Sequence, residues 1–174
     1  MEPGAVALHA VRQCKLKAGD KAAVFGTVPM GLLVIETLRA AGASEIYAVE
    51  RFQQNNATKV LELEATVVNN PKDEDADARL HELTNGGVDV AFEVTGVPVV
   101  VIQQAIDSTL FKGESIVSIW ETAASILPNN IVFSECTVKG FFAYRDIFPA
   151  VRELLTQGYF PEKLVTQRIS LSKL

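Results

Sequence analysis

Apolar and polar positions fall in blocks along this chain rather than alternating residue by residue. Short, almost continuous apolar runs recur at Ala22-Ala23-Val24-Phe25, Ile46-Tyr47-Ala48-Val49, Thr66-Val67-Val68, Val88 to Val94 and Ser115 to Ile119. Such runs read as strands buried on both faces, and the three- and four-residue spacing of apolar positions between them reads as amphipathic helix. The pattern predicts a helix from Pro3 to Cys14, a strand at Lys21–Gly26, and a helix carrying Met30, Leu33, Val34 and Leu38 that stops at Gly42. A strand at Glu45–Glu50, a helix from Phe52 to Glu64 and a strand at Thr66–Asn69 follow. Next come a helix ending at Leu83, a strand at Val88–Val94, a helix from Val99 to Leu110 and a strand at Ser115–Ile119. Beyond Trp120 the pattern loosens, then resumes as extended segments at Ile131–Phe133 and Thr137–Phe142 and a helix from Ile147 to Gln157.

Apolar strands separated by helices call for right-handed crossovers and a parallel sheet covered on both faces. The fold expected is therefore α/β: a doubly wound, six-stranded parallel sheet forming one domain over residues 1–174. Ligands of such sheets sit beyond the carboxyl ends of the strands, near the point where strand order reverses. Gly26, Glu50, Thr95-Gly96 and Ile119-Trp120 all fall on that rim.

Composition narrows the partners. A net charge of −5 with both signs interspersed leaves no basic footprint for nucleic acid or an anionic membrane. No apolar run reaches the roughly 18 residues of a membrane helix, and Met1-Glu2-Pro3-Gly4 lacks a basic leader, so a cytoplasmic protein is expected. Cys14 and Cys136 belong to no Cys-x-x-Cys cluster and read as free thiols. His9 and His81 read as packing or surface residues.

The turn Gly26-Thr27-Val28-Pro29-Met30-Gly31 links an expected strand to an expected helix. Peptide N–H groups at a helix start have no intrahelical partner, and the helix dipole favours an anion there. The dinucleotide fingerprint Gly-x-Gly-x-x-Gly places a pyrophosphate at that point; here the outer glycines are present and Val28 fills the middle position. A valine adds bulk where backbone should approach the pyrophosphate, so weak NAD binding is expected. Glu50 closes the second strand about 20 residues beyond Gly31, the place of the acid that takes the ribose hydroxyls. Its charge favours NAD over NADP, while the neighbouring Arg51 pulls the other way. The competing reading is a plain strand–turn–helix connection with an exposed glutamate.

Four stretches carry a resemblance that spans nearly the whole chain. They are Glu2-Pro3 through His9-Ala10-Val11, Lys17-Ala18-Gly19-Asp20-Lys21 with Gly26 to Gly31, Gly87 through Pro98, and Phe142-Ala143-Tyr144-Arg145. Together they resemble the coenzyme-binding domain of zinc-dependent medium-chain alcohol dehydrogenases, in particular the 2,3-butanediol and sorbitol dehydrogenase branch. The resemblance implies that Gly26, Thr27, Val28, Pro29, Met30 and Gly31 hold the pyrophosphate of NAD and that Glu50, with Arg51 beside it, meets the adenosine ribose. Thr95, Gly96, Ile119 and Trp120 would border the nicotinamide side. It also implies that the zinc-binding catalytic domain lies outside this chain, with residues 1–16 a helix that borders it. No zinc is then expected here, and Glu2 matches a carboxylate that lies near the metal in the family. A homodimer through the sheet edge near Ile131–Phe142 is implied as well. Three readings follow: the coenzyme domain of an NAD-dependent diol or polyol dehydrogenase, inactive alone; a stand-alone dinucleotide-binding or sensing module; or a degenerate dimeric protein that binds no nucleotide.

Overall fold

A computed structural model describes residues 1–50, 57–69, 76–96, 98–118, 123–160, 164 and 169–170. The elements, in chain order, are α1 (Glu2–Val11), β1 (Lys21–Phe25), α2 (Pro29–Ala41), β2 (Glu45–Glu50), α3 (Ala57–Glu62), β3 (Thr66–Asn69) and α4 (Ala76–Thr84). They continue as β4 (Val88–Glu93), α5 (Pro98–Asp107), β5 (Thr109–Val117), α6 (Pro128–Ser134), β6 (Thr137–Gly140) and α7 (Phe148–Thr156). The six strands form one parallel sheet in the order β3-β2-β1-β4-β5-β6. This is the doubly wound sheet that the apolar runs require, and strand order reverses between β1 and β4.

Both faces of the sheet are buried, and successive residues of each strand supply opposite cores. Ala22 and Val24 of β1, Ala48 of β2, Phe92 of β4 and Ile116 of β5 pack beneath α1 and α2 with Val11, Val34, Ile35 and Leu38. Ala23 and Phe25, Tyr47 and Val49, and Ala91 face the other way, against Leu80 of α4 and Val101 and Ala105 of α5. Helix α1 is thus part of this core: Ala7, Ala10 and Val11 lie in the first cluster, while Ala5 and Leu8 pack against Ile147 and Val151 at α7.

Two expected elements differ. Ile131–Phe133 is not extended but lies within α6. Pro128 occupies the first turn, where its missing N–H is harmless. Glu135 turns left-handed (φ 50°) to end the helix, and the Cys136 N–H caps the Ile131 carbonyl at 3.2 Å. Three consecutive apolar residues mimic a strand, but the proline and the left-handed cap enclose a two-turn helix. The second difference is β5, which begins at Thr109, inside the helix expected to reach Leu110. Ser108 Oγ and Thr109 Oγ1 donate to the carbonyls of Ala105 (3.0 Å) and Ile106 (2.8 Å), ending α5 at Asp107. The early strand start is absorbed by a register shift against β4 between Val88 and Val90, with Lys112 at φ +64°. The segment expected as a helix from Phe52 lies partly outside the described residues, and α3 is seen from Ala57.

Candidate functional site

The crevice at the carboxyl ends of β1, β2 and β4 is built around Gly26. This residue leaves β1 at φ +103°, a conformation that suits glycine. Its N–H donates to the Val49 carbonyl at 2.9 Å, which ties the turn to β2 one residue before Glu50. Helix α2 then starts with Val28 as its N-cap (φ −62°, ψ 169°), Pro29 in the first turn and no side chain capping the amides. The first-turn amides beyond Pro29, Met30 and Gly31, have no helical acceptor and face an end of the helix that favours negative charge. Leu32 N–H closes the first backbone bond, to the Val28 carbonyl at 3.2 Å.

Both remaining glycines are required by space. A Cβ on Gly31 would sit 1.8 Å from the Gly26 carbonyl oxygen and 2.9 Å from its carbon. A Cβ on Gly26 would sit 2.9 Å from Thr95 Cγ2 and 3.2 Å from Thr95 Cα. The helix therefore rests on the turn, and the turn rests on the chain leaving β4. Val28 differs: its backbone conformation suits any residue, so the missing glycine causes no strain. Its side chain is 44% exposed at the crevice. Thr27 is buried and Glu50 half-buried at the end of β2.

Thr95 and Gly96 (φ +72°) follow β4 after Val94, so Gly26 through Gly31, Glu50, Thr95 and Gly96 converge on one rim. Arg51, Ile119 and Trp120, also expected there, lie outside the described residues. One residue of this rim is missing from the sequence-based set. Glu93, the last residue of β4, is 0% exposed, and its Oε1 accepts both the Thr95 N–H (2.8 Å) and the Thr95 hydroxyl (2.5 Å). Oε2 has no hydrogen-bond partner among the described residues. Burial pushes the Glu93 carboxyl above its ordinary value, opposed by the bonds from Thr95. The signal was present in the sequence as an acid at the end of an apolar stretch, Val90-Ala91-Phe92, two residues from Ala91 and so on the same face of the strand.

This geometry agrees with what the chain is similar to among known proteins. A family model for zinc-binding dehydrogenases matches residues 29–157. The chain belongs to that family. It is 60% identical over its whole length to the (R,R)-butanediol dehydrogenase of Bacillus subtilis, of which it covers 50%. It is 30% identical to the sorbitol dehydrogenase of the same organism, over 99% of this chain and 50% of that protein. The crystal structure of the Bacillus subtilis 2R,3R-butanediol dehydrogenase superposes with a TM-score of 0.88 at 58% identity, covering 94% of this chain and 47% of that one. The chain thus spans about half the length of the curated relatives it matches and corresponds to the nucleotide-binding region of zinc-binding dehydrogenases.

The described residues do not fit a zinc centre. A catalytic zinc takes about three protein ligands, and among the described residues no three His, Cys, Asp or Glu side chains are grouped to hold a metal. His9 of α1 contacts the Gln13 side chain just beyond that helix, and His81 Nε2 lies 2.7 Å from the Asp107 carbonyl. Likewise, no helix among them is long and apolar enough to cross a membrane. A separate cavity of about 480 Å³ opens at the opposite rim, lined by Lys17, Asp89, Lys112 and Glu135. Its charges tie neighbouring elements together: Asp89 of β4 accepts the N–H of Lys21 at the start of β1 at 2.8 Å, and Lys112 of β5 pairs with Glu135 at the end of α6 at 3.3 Å.

Proposed function

We propose that this chain is the NAD(H)-binding half of a diol or polyol dehydrogenase. The observation that carries the reading is the glycine cradle: Gly31 packed on the Gly26 carbonyl, and Gly26 on Thr95, at the bare amide end of α2. Such packing leaves backbone N–H groups as the surface offered to an anion. Gly26, Thr27, Val28, Pro29, Met30 and Gly31 would hold the pyrophosphate, and Glu50 the adenosine ribose through its hydroxyls. Thr95 and Gly96 would border the nicotinamide side, together with Ile119 and Trp120. The Glu50 carboxylate would repel a 2′-phosphate, which favours NAD over NADP. Bound NAD supplies a hydride acceptor for a secondary alcohol; the residues of this crevice bind and orient it. The 60% identity to a butanediol dehydrogenase supports a small vicinal diol as the alcohol of the complete enzyme.

A second copy of this chain is the proposed partner. Strand β6 is an edge of the sheet, and Val132 (68% exposed), Phe133 (78%), Leu127 and Phe142 present apolar surface beside it. An open edge next to exposed apolar side chains suits pairing across a two-fold axis. The edge belongs to β6, and α6 adds Val132 and Phe133. Free Cys14 and Cys136 suit a reducing cytoplasm.

Val28 favours a second reading, a fold retained for assembly that holds no nucleotide. Calorimetric titration with NAD and NADH separates the two. Weak binding, strengthened about tenfold or more in Val28→Gly, is expected. No heat from the wild-type chain at millimolar NAD would establish the second reading.

A further inference from the structure

We propose that Glu93 is a positioning residue for the nucleotide crevice: its carboxylate clamps Thr95 so that the Thr95–Gly96 turn closes on Gly26, and this sets the affinity of the crevice for the dinucleotide. The inference rests on the reading of the crevice as a nucleotide site.

Glu93 is a costly choice for packing. It stands opposite Phe25 of β1 and Val117 of β5, fully buried, where an aliphatic side chain would meet no desolvation penalty. What an aliphatic residue could not do is take over the hydrogen bonding where the sheet ladder stops. The Val94 N–H still reaches across to the Phe25 carbonyl at 3.1 Å, a rung between β4 and β1. The Thr95 N–H, which in a continuing strand would point the other way, toward β5, is taken at 2.8 Å by Glu93 Oε1, two residues back in its own chain. The carboxylate thereby stands in for a β5 partner and holds the backbone where it lies against Gly26, with Thr95 Cα 3.2 Å and Thr95 N 3.3 Å from the position of a Gly26 Cβ.

The same oxygen fixes the side chain. Thr95 is β-branched, with few rotamers open to it. With its hydroxyl drawn to Glu93 Oε1 at 2.5 Å, its methyl is the group that faces Gly26, 2.9 Å from that Cβ position. One carboxylate therefore sets the backbone, rotamer and contact face of the residue that forms the second wall of the crevice. Burial raises the Glu93 carboxyl, and no charged side chain contributes to that shift. Its work is to accept hydrogen bonds, and a neutral amide of the same shape can perform it.

The test compares wild type, Glu93→Gln, Glu93→Leu and Thr95→Val. Two quantities are measured: amide hydrogen exchange at Thr95 and Gly96 in the free protein, and NADH affinity by titration. Glu93→Gln should stay within about threefold of wild type in both. Glu93→Leu should exchange these amides about tenfold faster or more and bind NADH about tenfold more weakly or worse, as expected when a charged acceptor of two bonds is removed. Thr95→Val, which keeps the amide bond and loses the hydroxyl, should fall between them, and it serves alone if the leucine variant does not fold. A purely structural Glu93 would lower the melting temperature of the leucine variant and leave the affinity of its folded fraction unchanged. Wild-type affinity in Glu93→Leu, or a loss of affinity without faster exchange, overturns the proposal. If wild type itself binds no NADH, the nucleotide reading fails, and the clamp is then judged by the exchange of Thr95 alone.

Discussion

Replacing Gly31 by alanine probes the whole crevice with a single methyl group. The new Cβ would stand 1.8 Å from the Gly26 carbonyl oxygen, 2.9 Å from its carbon and 3.5 Å from Val24 Cγ1. The helix itself would gain, since alanine exceeds glycine by about 0.8–1.0 kcal/mol in a helix. Against this stands a clash with backbone that cannot easily retreat. The Gly26 N–H is bonded to Val49, and Thr95 fills the space behind. Overpacking a site of this kind costs about 1–3 kcal/mol and occasionally more, and a 1.8 Å approach to a fixed carbonyl belongs at the upper end. Subtracting the helix gain leaves a net loss of about 2 kcal/mol, or roughly 4–8 °C in Tm for a chain of this size. The control is Gly19→Ala, at φ +99° with nothing within 4 Å of the added carbon, so that only backbone strain of about 1 kcal/mol is expected. Urea and thermal unfolding of the two variants measure the difference directly. If Gly31→Ala equals wild type in stability, or falls no lower than Gly19→Ala, then the helix does not rest on the turn and the cradle argument fails.

Val28→Gly should move stability and affinity in opposite directions. Its φ of −62° is open to any residue, so glycine adds only unfolded-state freedom, about 0.4–1 kcal/mol of lost stability; a variant stabilised by the change would contradict this. Glu93 gives a pH signature. Its folded carboxyl lies above its ordinary value of 4.5, so the native state holds the proton longer. The resulting stability is present below the unfolded value and lost as pH rises through the folded one. The stability difference between Glu93→Gln and wild type, from urea unfolding, should therefore grow in favour of glutamine across that window, and a difference independent of pH would refute the burial. Phe133→Asp should convert a dimer to a monomer in sedimentation equilibrium, because the side chain is exposed on α6 beside the sheet edge. A wild-type chain that sediments as a monomer would remove the proposed partner.

The parallel sheet, most helix boundaries and the glycine turn were legible in the sequence because each rests on a local rule. Apolar runs buried on both faces mark β1, β2 and β4; the 3.6-residue period marks α2; and a proline at one end with a glycine at the other frames α2 between Pro29 and Gly42. The same local rules misread α6, where Ile131-Val132-Phe133 matches a strand, and ended the fifth strand's preceding helix too late, because two hydroxyls capping α5 leave no periodic trace. Tertiary structure alone decided what lies opposite what. That Gly31 abuts the Gly26 carbonyl, that Gly26 abuts Thr95, and that a buried glutamate holds Thr95 in place all depend on strands β1 and β4, 60 or more residues apart in sequence, lying side by side. Local sequence encodes periodicity and backbone freedom; contacts between distant segments come from burying two faces of one sheet at once, and the crevice exists only there.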